Sequence, residues 1–274
     1  MVIKQPPIFD LDDEPPYVSL MVYAMSGAGK TVFAASDDDV LIMSTEKKGT
    51  LSAARSKMTG KNVKFIKGYD WNTCIQTRDW LTEYCERHGK GPANWFVVDT
   101  VSNLQRVHML HQLEVTAKKF ASRGKSPTVP EQQDYLVNQH ELIRYIETLN
   151  DLPMNILYLA HAELLEDEEG ETYIQPKIHG KEGEISKTVC AQMTSYGCLK
   201  VVTEERQNPQ TKKKQLVVNR DIWWVDKGSM RAKDRTGVLA PRTRNLTLKE
   251  IRRRVETGSK TPDAVQENNE SEKG

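Results

Sequence analysis

Short apolar runs alternate with longer stretches in which apolar positions recur every three or four residues. The runs at 18–23, 40–43, 63–66, 95–98 and 156–160 are rich in strand formers and bounded by glycine or polar residues, as buried strands are. Between them, the spacing of Trp71, Cys74, Ile75, Leu81, Tyr84 and Cys85 predicts a helix to His88, broken by the glycines and proline of 89–92. Leu104, Val107, Leu110 and Leu113 mark a second helix, and Tyr135, Leu136, Leu142, Ile143, Ile146 and Leu149 a third, stopped near 151–153. A long polar loop is expected from His161 to about Gly183, and a basic mobile loop at 121–129. Further on, 198–202 and 215–218 predict a hairpin around the basic turn QNPQTKKK, with 222–225 as a separate strand. The alternation predicts an α/β fold: a mostly parallel sheet with helices on both faces and a C-terminal β-hairpin region.

The ends of the buried runs carry the chemistry. Run 18–23 feeds into AMSGAGKT, residues 24–31, which matches the P-loop pattern at each defining position but the first, where Ala24 replaces glycine. Gly27 and Gly29 let the backbone of Ser26, Gly27, Ala28 and Gly29 turn its N–H groups toward phosphate oxygens. Lys30 neutralises the β- and γ-phosphates, the Thr31 hydroxyl suits Mg2+, and the helix starting there adds its positive end. The bland alternative is a chance glycine-rich turn, which the strand before it and the helix after it disfavour.

Asp99 closes the strand WFVVD, where a carboxylate would hold the Mg2+ shell; its structural alternative is a cap on the next helix. Thr100 follows, so the base for water attack must come from elsewhere. Glu46, after the strand LIMST, is the candidate, against the reading of a surface glutamate beside Lys47 and Lys48. His161, at the end of ILYLA, is placed to meet the γ-phosphate or the lytic water, or else is an ordinary strand-end histidine. The pair His108 and His111 lies one helical turn apart without a third ligand and reads as a surface or interface feature.

Composition narrows the class. The 274 residues suit one large domain, at residues 17–256. An arm at 1–16 holds four prolines, with Phe9 and Leu11 either docking on the next subunit or belonging to a frayed terminus, and a polar tail at 257–274 is expected to be disordered. Hydrophobic residues make up 38% and charged residues 28%, which allows a sizeable core. The four cysteines show neither C-x-x-C nor zinc spacing and read as reduced, buried thiols. With no export signal and no membrane-length apolar run, a cytoplasmic location without membrane contact is expected.

Net charge is only +1, so a nucleic-acid surface would need locally gathered charge. Residues 227–254 supply it, with ten Lys or Arg against Asp234 and Glu250, and 212–214 add three lysines. Arg231, Lys233 and Arg235 could contact DNA or reach a neighbouring subunit's γ-phosphate, while Lys177 and Lys181 could meet DNA or ATP. A solvated basic face is the plain alternative. Tyr173 could stack bases, whereas burial in strands is expected for Trp223 and Trp224.

A P-loop followed by strands ending in Glu46, Asp99 and His161 resembles the RecA/recombinase core. The segments LPMNILYLAHAELLEDEEGETYIQPKIHGK and AKDRTGVLAP look more closely like the phage-encoded RecA-like ATPases that act as single-strand annealing proteins. The resemblance runs over roughly 17–254. It implies a RecA-like P-loop NTPase core, with Glu46 as water-activating glutamate and His161 as the switch before a DNA-binding loop. It also implies DNA-stimulated hydrolysis of Mg-ATP, binding and annealing of single-stranded DNA, rings or filaments, a single-strand-binding protein as companion, and the host cytoplasm as location. Ala24 and the histidine at the switch position depart from RecA itself. Two other readings stand beside it: a nucleotide-regulated DNA-binding protein with negligible turnover, and an AAA+-like helicase loader or DNA motor. Thr100 after Asp99, and the lack of a recognisable helical lid, speak against the motor.

Overall fold

The computed structural model describes residues 10, 16–120, 126–180, 183–207 and 213–259. Phe9, Leu11, Lys181, Lys212, residues 121–125 of the basic loop and 260–274 of the tail lie outside the described residues.

Five parallel pairings build the centre of the sheet. β1 (Ser19–Ala24) lies between β5 (Asn155–Glu166) and β7 (Ser195–Gln207). β4 (Trp95–Asp99) follows beyond β5, then β2 (Asp39–Ser44) and β3 (Asn62–Lys67). β8 (Lys214–Trp223) and β10 (Arg242–Arg244) extend the other side antiparallel. The order is β10-β8-β7-β1-β5-β4-β2-β3, with β6 (Thr172–Pro176) on β5 and β9 (Lys233–Asp234) on β7. Every residue of β1 and β4 is buried, because helices cover both faces of a parallel sheet.

Alternation along each strand divides the core into two layers. Met21, Tyr23, Met43, Phe96, Val98 and Tyr158 face α3 (Trp71–His88), α4 (Val101–Lys119), α5 (Gln132–Asn150) and α6 (Glu184–Ala191). Leu20, Val22, Ile42, Trp95, Val97 and Leu159 face α1 (Lys30–Ala34) and α7 (Leu248–Thr257), with α2 (Leu51–Ala54) beside them. Asp70 and Thr100 cap α3 and α4 by accepting from the N–H groups of Thr73 and Asn103, and Gly89 closes α3 at φ 67°.

Several expectations change. β5 does not stop at His161 but runs to Glu166 and returns through β6, with Leu164 opposite Ile174, and α6 follows, so the expected long loop is a hairpin and a helix. Residues 222 and 223 belong to β8 rather than to a separate strand. α7 includes Thr257, the first residue assigned to the tail. His108 is buried and bonded to Asn138, at 2.8 Å from Nδ1, so it is a core residue and not a surface feature. Burial lowers its pKa to about 4, which keeps the ring neutral. All four cysteines are free and buried, as expected.

Candidate nucleotide site

The sheet brings the strand ends of β1, β5, β4 and β2 side by side. Ala24 pairs with His161 and Ser44 with Asp99, so the loop after β1, His161, Asp99 and Glu46 share one edge. Gly27 and Gly29 take φ 79° and 96°, a region that costs a side-chain-bearing residue energy. Gly29 is doubly constrained, since a Cβ there would crowd the Arg220 Nε. That Nε donates to the Ala28 carbonyl at 3.3 Å, so Arg220, on β8, braces the back of the loop. Nothing in the β8 sequence pattern marks this role.

Lys30 is buried, and its Nζ donates to the carbonyls of Ala24 at 2.9 Å and Met25 at 3.2 Å. Burial lowers its pKa, against the opposing pull of Asp99 and Glu46. Thr31 Oγ1 donates to Asp99 Oδ2 at 2.8 Å. Burial pushes the Asp99 carboxyl up to about 6, partly opposed by the Thr31 hydrogen bond. The hydroxyl and carboxylate oxygens thus meet beside a buried ammonium. Two protein oxygens suit Mg2+, which keeps waters and takes the rest of its shell from phosphates. Among the described residues no cluster of three or more His, Cys, Asp or Glu offers a full protein cage.

Glu46 Oε1 lies 2.9 Å from His161 Nε2 and accepts from Thr100 Oγ1 at 3.0 Å. The His161 hydrogen bond lowers the Glu46 pKa despite partial burial, with Thr100 adding to the effect, so the carboxylate is ionised at neutral pH. Thr45 locks the strand ends together: its hydroxyl donates to the carbonyls of Asp99 and Thr100 at 3.2 and 3.1 Å, and it accepts from Thr100 N–H at 2.9 Å. Thr100 and Thr45 were not legible as site residues, because polar residues at a strand-to-helix junction read equally well as caps.

A second set of bonds leads away from His161. Ser102 Oγ accepts from His161 N–H at 3.0 Å and donates to the Lys177 carbonyl at 2.7 Å. Lys177 N–H donates to the His161 carbonyl at 2.7 Å. Gln105 grips the backbone of His179 at both ends, through Nε2 at 2.8 Å and Oε1 at 2.7 Å. In front of the loop opens a cavity of about 580 Å3, lined by Met25, Ser26, Glu46, His161, Lys177 and Arg106 among others. That size falls within the range of small-molecule pockets.

The other basic candidates stand elsewhere. β9 pairs with Ser195 and Tyr196, which lie beside Leu20 and Met21, at the end of β1 away from the loop. Arg231, Lys233 and Arg235 therefore do not line the cavity before their own P-loop. Seven of the ten basic residues at 227–254 bind carboxylates: Arg231 with Asp226, Arg242 and Arg244 with Asp221, Lys249 with Asp38, Arg252 with Asp37, and Arg253 and Arg254 with Glu250. Trp224 is fully buried, Trp223 nearly so, and Tyr173 is buried as well, which leaves its ring unavailable for stacking bases.

Comparison with known proteins places this geometry. The family model for the AAA domain (AAA_24) matches residues 17–236. No curated protein matches the sequence. Among solved structures, an ATPase of the type III secretion system of pathogenic bacteria aligns at 14% identity and TM-score 0.42, over 67% of this chain and 52% of that one. The flagellar accessory protein FlaH from Methanocaldococcus jannaschii aligns at 9% identity and TM-score 0.34, over 75% of this chain and 76% of the other. This chain thus spans about half the length of the secretion ATPase, and neither likeness is close enough to bear on substrate or partner. No helix among the described residues is long and apolar enough to cross a membrane. With the phosphate loop, the Asp99 strand and the order of the sheet, the family match identifies the chain as a member of the AAA domain family, a P-loop ATPase on an α/β core.

Proposed function

We propose that the chain is an ATP-dependent protein that binds and anneals single-stranded DNA in phage-type recombination, working as a homo-oligomer beside a single-strand-binding protein. In this reading the backbone N–H groups of 26–31 and the Lys30 ammonium hold the triphosphate. Thr31 and Asp99 hold Mg2+, which would neutralise charge on the phosphates. Glu46 is the base that orients and deprotonates the attacking water, and an ionised carboxylate at the cavity edge suits that work. His161 reports the state of the γ-phosphate.

The observation that carries the reading is the shared position of His161. Its ring meets Glu46 at 2.9 Å, while its backbone is bonded through Ser102 and Lys177 to the segment after β6. A change at the γ-phosphate that breaks the Glu46–His161 contact therefore acts on a segment bearing the exposed side chains of Lys177 and His179. Such a contact between hydrolytic site and surface segment is what nucleotide-controlled DNA binding needs.

Annealing of complementary oligonucleotides, followed by strand-pairing fluorescence with ATP, with ADP and without nucleotide, tests the proposal. Faster pairing with ATP than with ADP supports it. Equal rates in all three conditions, with ATP shown to be bound, leave a DNA-binding protein whose nucleotide is not coupled to annealing. The family match also keeps a second reading in view, a helicase loader or DNA motor. Thr100 in place of a glutamate after Asp99 argues against it, and ATP-driven separation of duplex strands would establish it.

A further inference from the structure

We propose that the cavity of about 240 Å3 beside α6, with the sheet face next to it, seats the phosphodiester backbone of the bound single strand. The proposal rests on the DNA reading above and gives it a location. Lys187, Arg231 and Lys233 converge on this cavity with Tyr196, Gln175 and Ser186, and no carboxylate lines it. The carboxylates that touch its lining are already engaged: Asp226 pairs with Arg231 at 3.3 Å, and Glu163 accepts from Gln175 at 3.0 Å.

The cations are held over aromatic rings. The Arg231 guanidinium lies 4.7 Å from the centre of the Tyr173 ring, and Lys233 Nζ lies 5.6 Å from that of Tyr196. Farther along the same face, Lys200 and Arg242 lie 5.8 and 4.9 Å from the Trp223 ring. Sheet register puts them together. Cys198 and Trp223 pair and face the same core layer, so Tyr196 and Lys200 on β7, and Arg242 opposite Trp223 on β10, share that side. A ring under a cation restrains the side chain. Nη1 of Arg231 also donates to Asp226, Nζ of Lys233 to the Cys190 carbonyl at 3.3 Å, and Nε and Nη2 of Arg242 to Asp221, so a phosphate would compete with these bonds at Arg231 and Lys233.

Burial and the neighbouring Arg235 push the Lys233 ammonium below its ordinary pKa, opposed only by Cys190. A desolvated cation beside like charge gains when an anion arrives. Because Tyr173 and Trp223 are buried under their cations, the surface offers phosphate contacts rather than base stacking. It therefore suits binding that ignores sequence and responds steeply to salt. Phosphate oxygens are the recognised chemistry, and inorganic polyphosphate could supply them as well as a DNA strand.

The test is the salt dependence of affinity for a labelled oligothymidylate, measured for the full chain and for Lys187→Gln, Arg231→Gln and the pair together. Each lost contact should make the slope of log affinity against log salt shallower by about 0.7, and the pair by about 1.4. Lys118→Gln, at the exposed end of α4, is the charge-loss control and should keep the parent slope. Lys187 is exposed, so its variant is expected to fold even where Arg231→Gln does not, and thermal melting checks both. Competition with inorganic tripolyphosphate at equal phosphate concentration separates the two sources. Affinity that rises with oligonucleotide length supports a strand site, and equal affinity per phosphate overturns it. A parent that binds DNA, with Lys187→Gln and Arg231→Gln both keeping its slope, overturns the location alone. A parent that does not bind DNA overturns the DNA reading itself.

Discussion

Lys30 and Glu46 are predicted to separate binding from turnover. Lys30 is a buried cation whose present partners are two loop carbonyls, weak substitutes for phosphate oxygens. Lys30→Ala should abolish measurable nucleotide binding in equilibrium titration, and with it hydrolysis. Glu46→Gln keeps the size of the side chain and removes the base. It should retain nucleotide affinity and lower turnover by about 10²–10⁴-fold. Unchanged turnover in Glu46→Gln would remove Glu46 from the mechanism. Gly29→Ala meets both a left-handed backbone and the Arg220 side chain, so it should weaken nucleotide binding without unfolding the sheet, read as a raised KM with a melting temperature lowered by the cost of that strain, about 1–2 kcal/mol.

At the scale of elements, two ion-pair sets attach the C-terminal pieces to the sheet. Asp37 is fully buried and binds Arg252 of α7 through Nε at 2.7 Å and Nη2 at 3.2 Å, and it also accepts from Trp95 Nε1 at 3.1 Å. Arg252→Ala leaves that carboxylate buried without its cation, and chemical denaturation should show a loss of about 3 kcal/mol. Asp221 is the other anchor. Burial pushes its carboxyl up, but Arg244 and Arg242 more than reverse this, and the net pKa is lowered. A carboxyl with a lowered folded-state pKa contributes stability above its unfolded value, about 3.9, and loses it as pH falls through the folded-state value. The melting-temperature gap between the parent and Asp221→Asn should therefore hold above pH ~5 and shrink below pH ~4.

These anchors also explain what could be read from the chain. Buried parallel strands are continuous apolar runs, so the strand ends that carry the loop, Glu46, Asp99 and His161 stood out. β5 beyond His161 did not, because the acids of 163–171 hide the alternation of a hairpin behind loop-like polarity. α7 was hidden in the same way: Leu248, Ile251 and Val255 keep helical spacing, but the charges between them dominate the pattern. The basic stretch at 227–254 looked like free positive charge because its partners are far along the chain, Arg252 and Asp37 being 215 positions apart.

For the whole molecule, a chain of net charge +1 binds DNA only if its unpaired cations are gathered, and most of those at 227–254 are spent on internal carboxylates. In the proposed reading, Lys187 and Lys233 near α6, Arg231 beside them and Lys177 on the segment after β6 would make DNA binding depend on few phosphates. Assembly into rings or filaments would repeat that set along a strand and multiply its effect. Light scattering should accordingly show larger particles with ATP and single-stranded DNA together than with either alone.

In the proposed function, hydrolysis at the P-loop is coupled to DNA through His161. Steady-state ATP turnover of the purified chain, with and without single-stranded DNA, tests it most directly, with His161→Ala beside the parent. DNA should raise turnover in the parent and fail to do so in the variant. Equal stimulation of both would contradict the account.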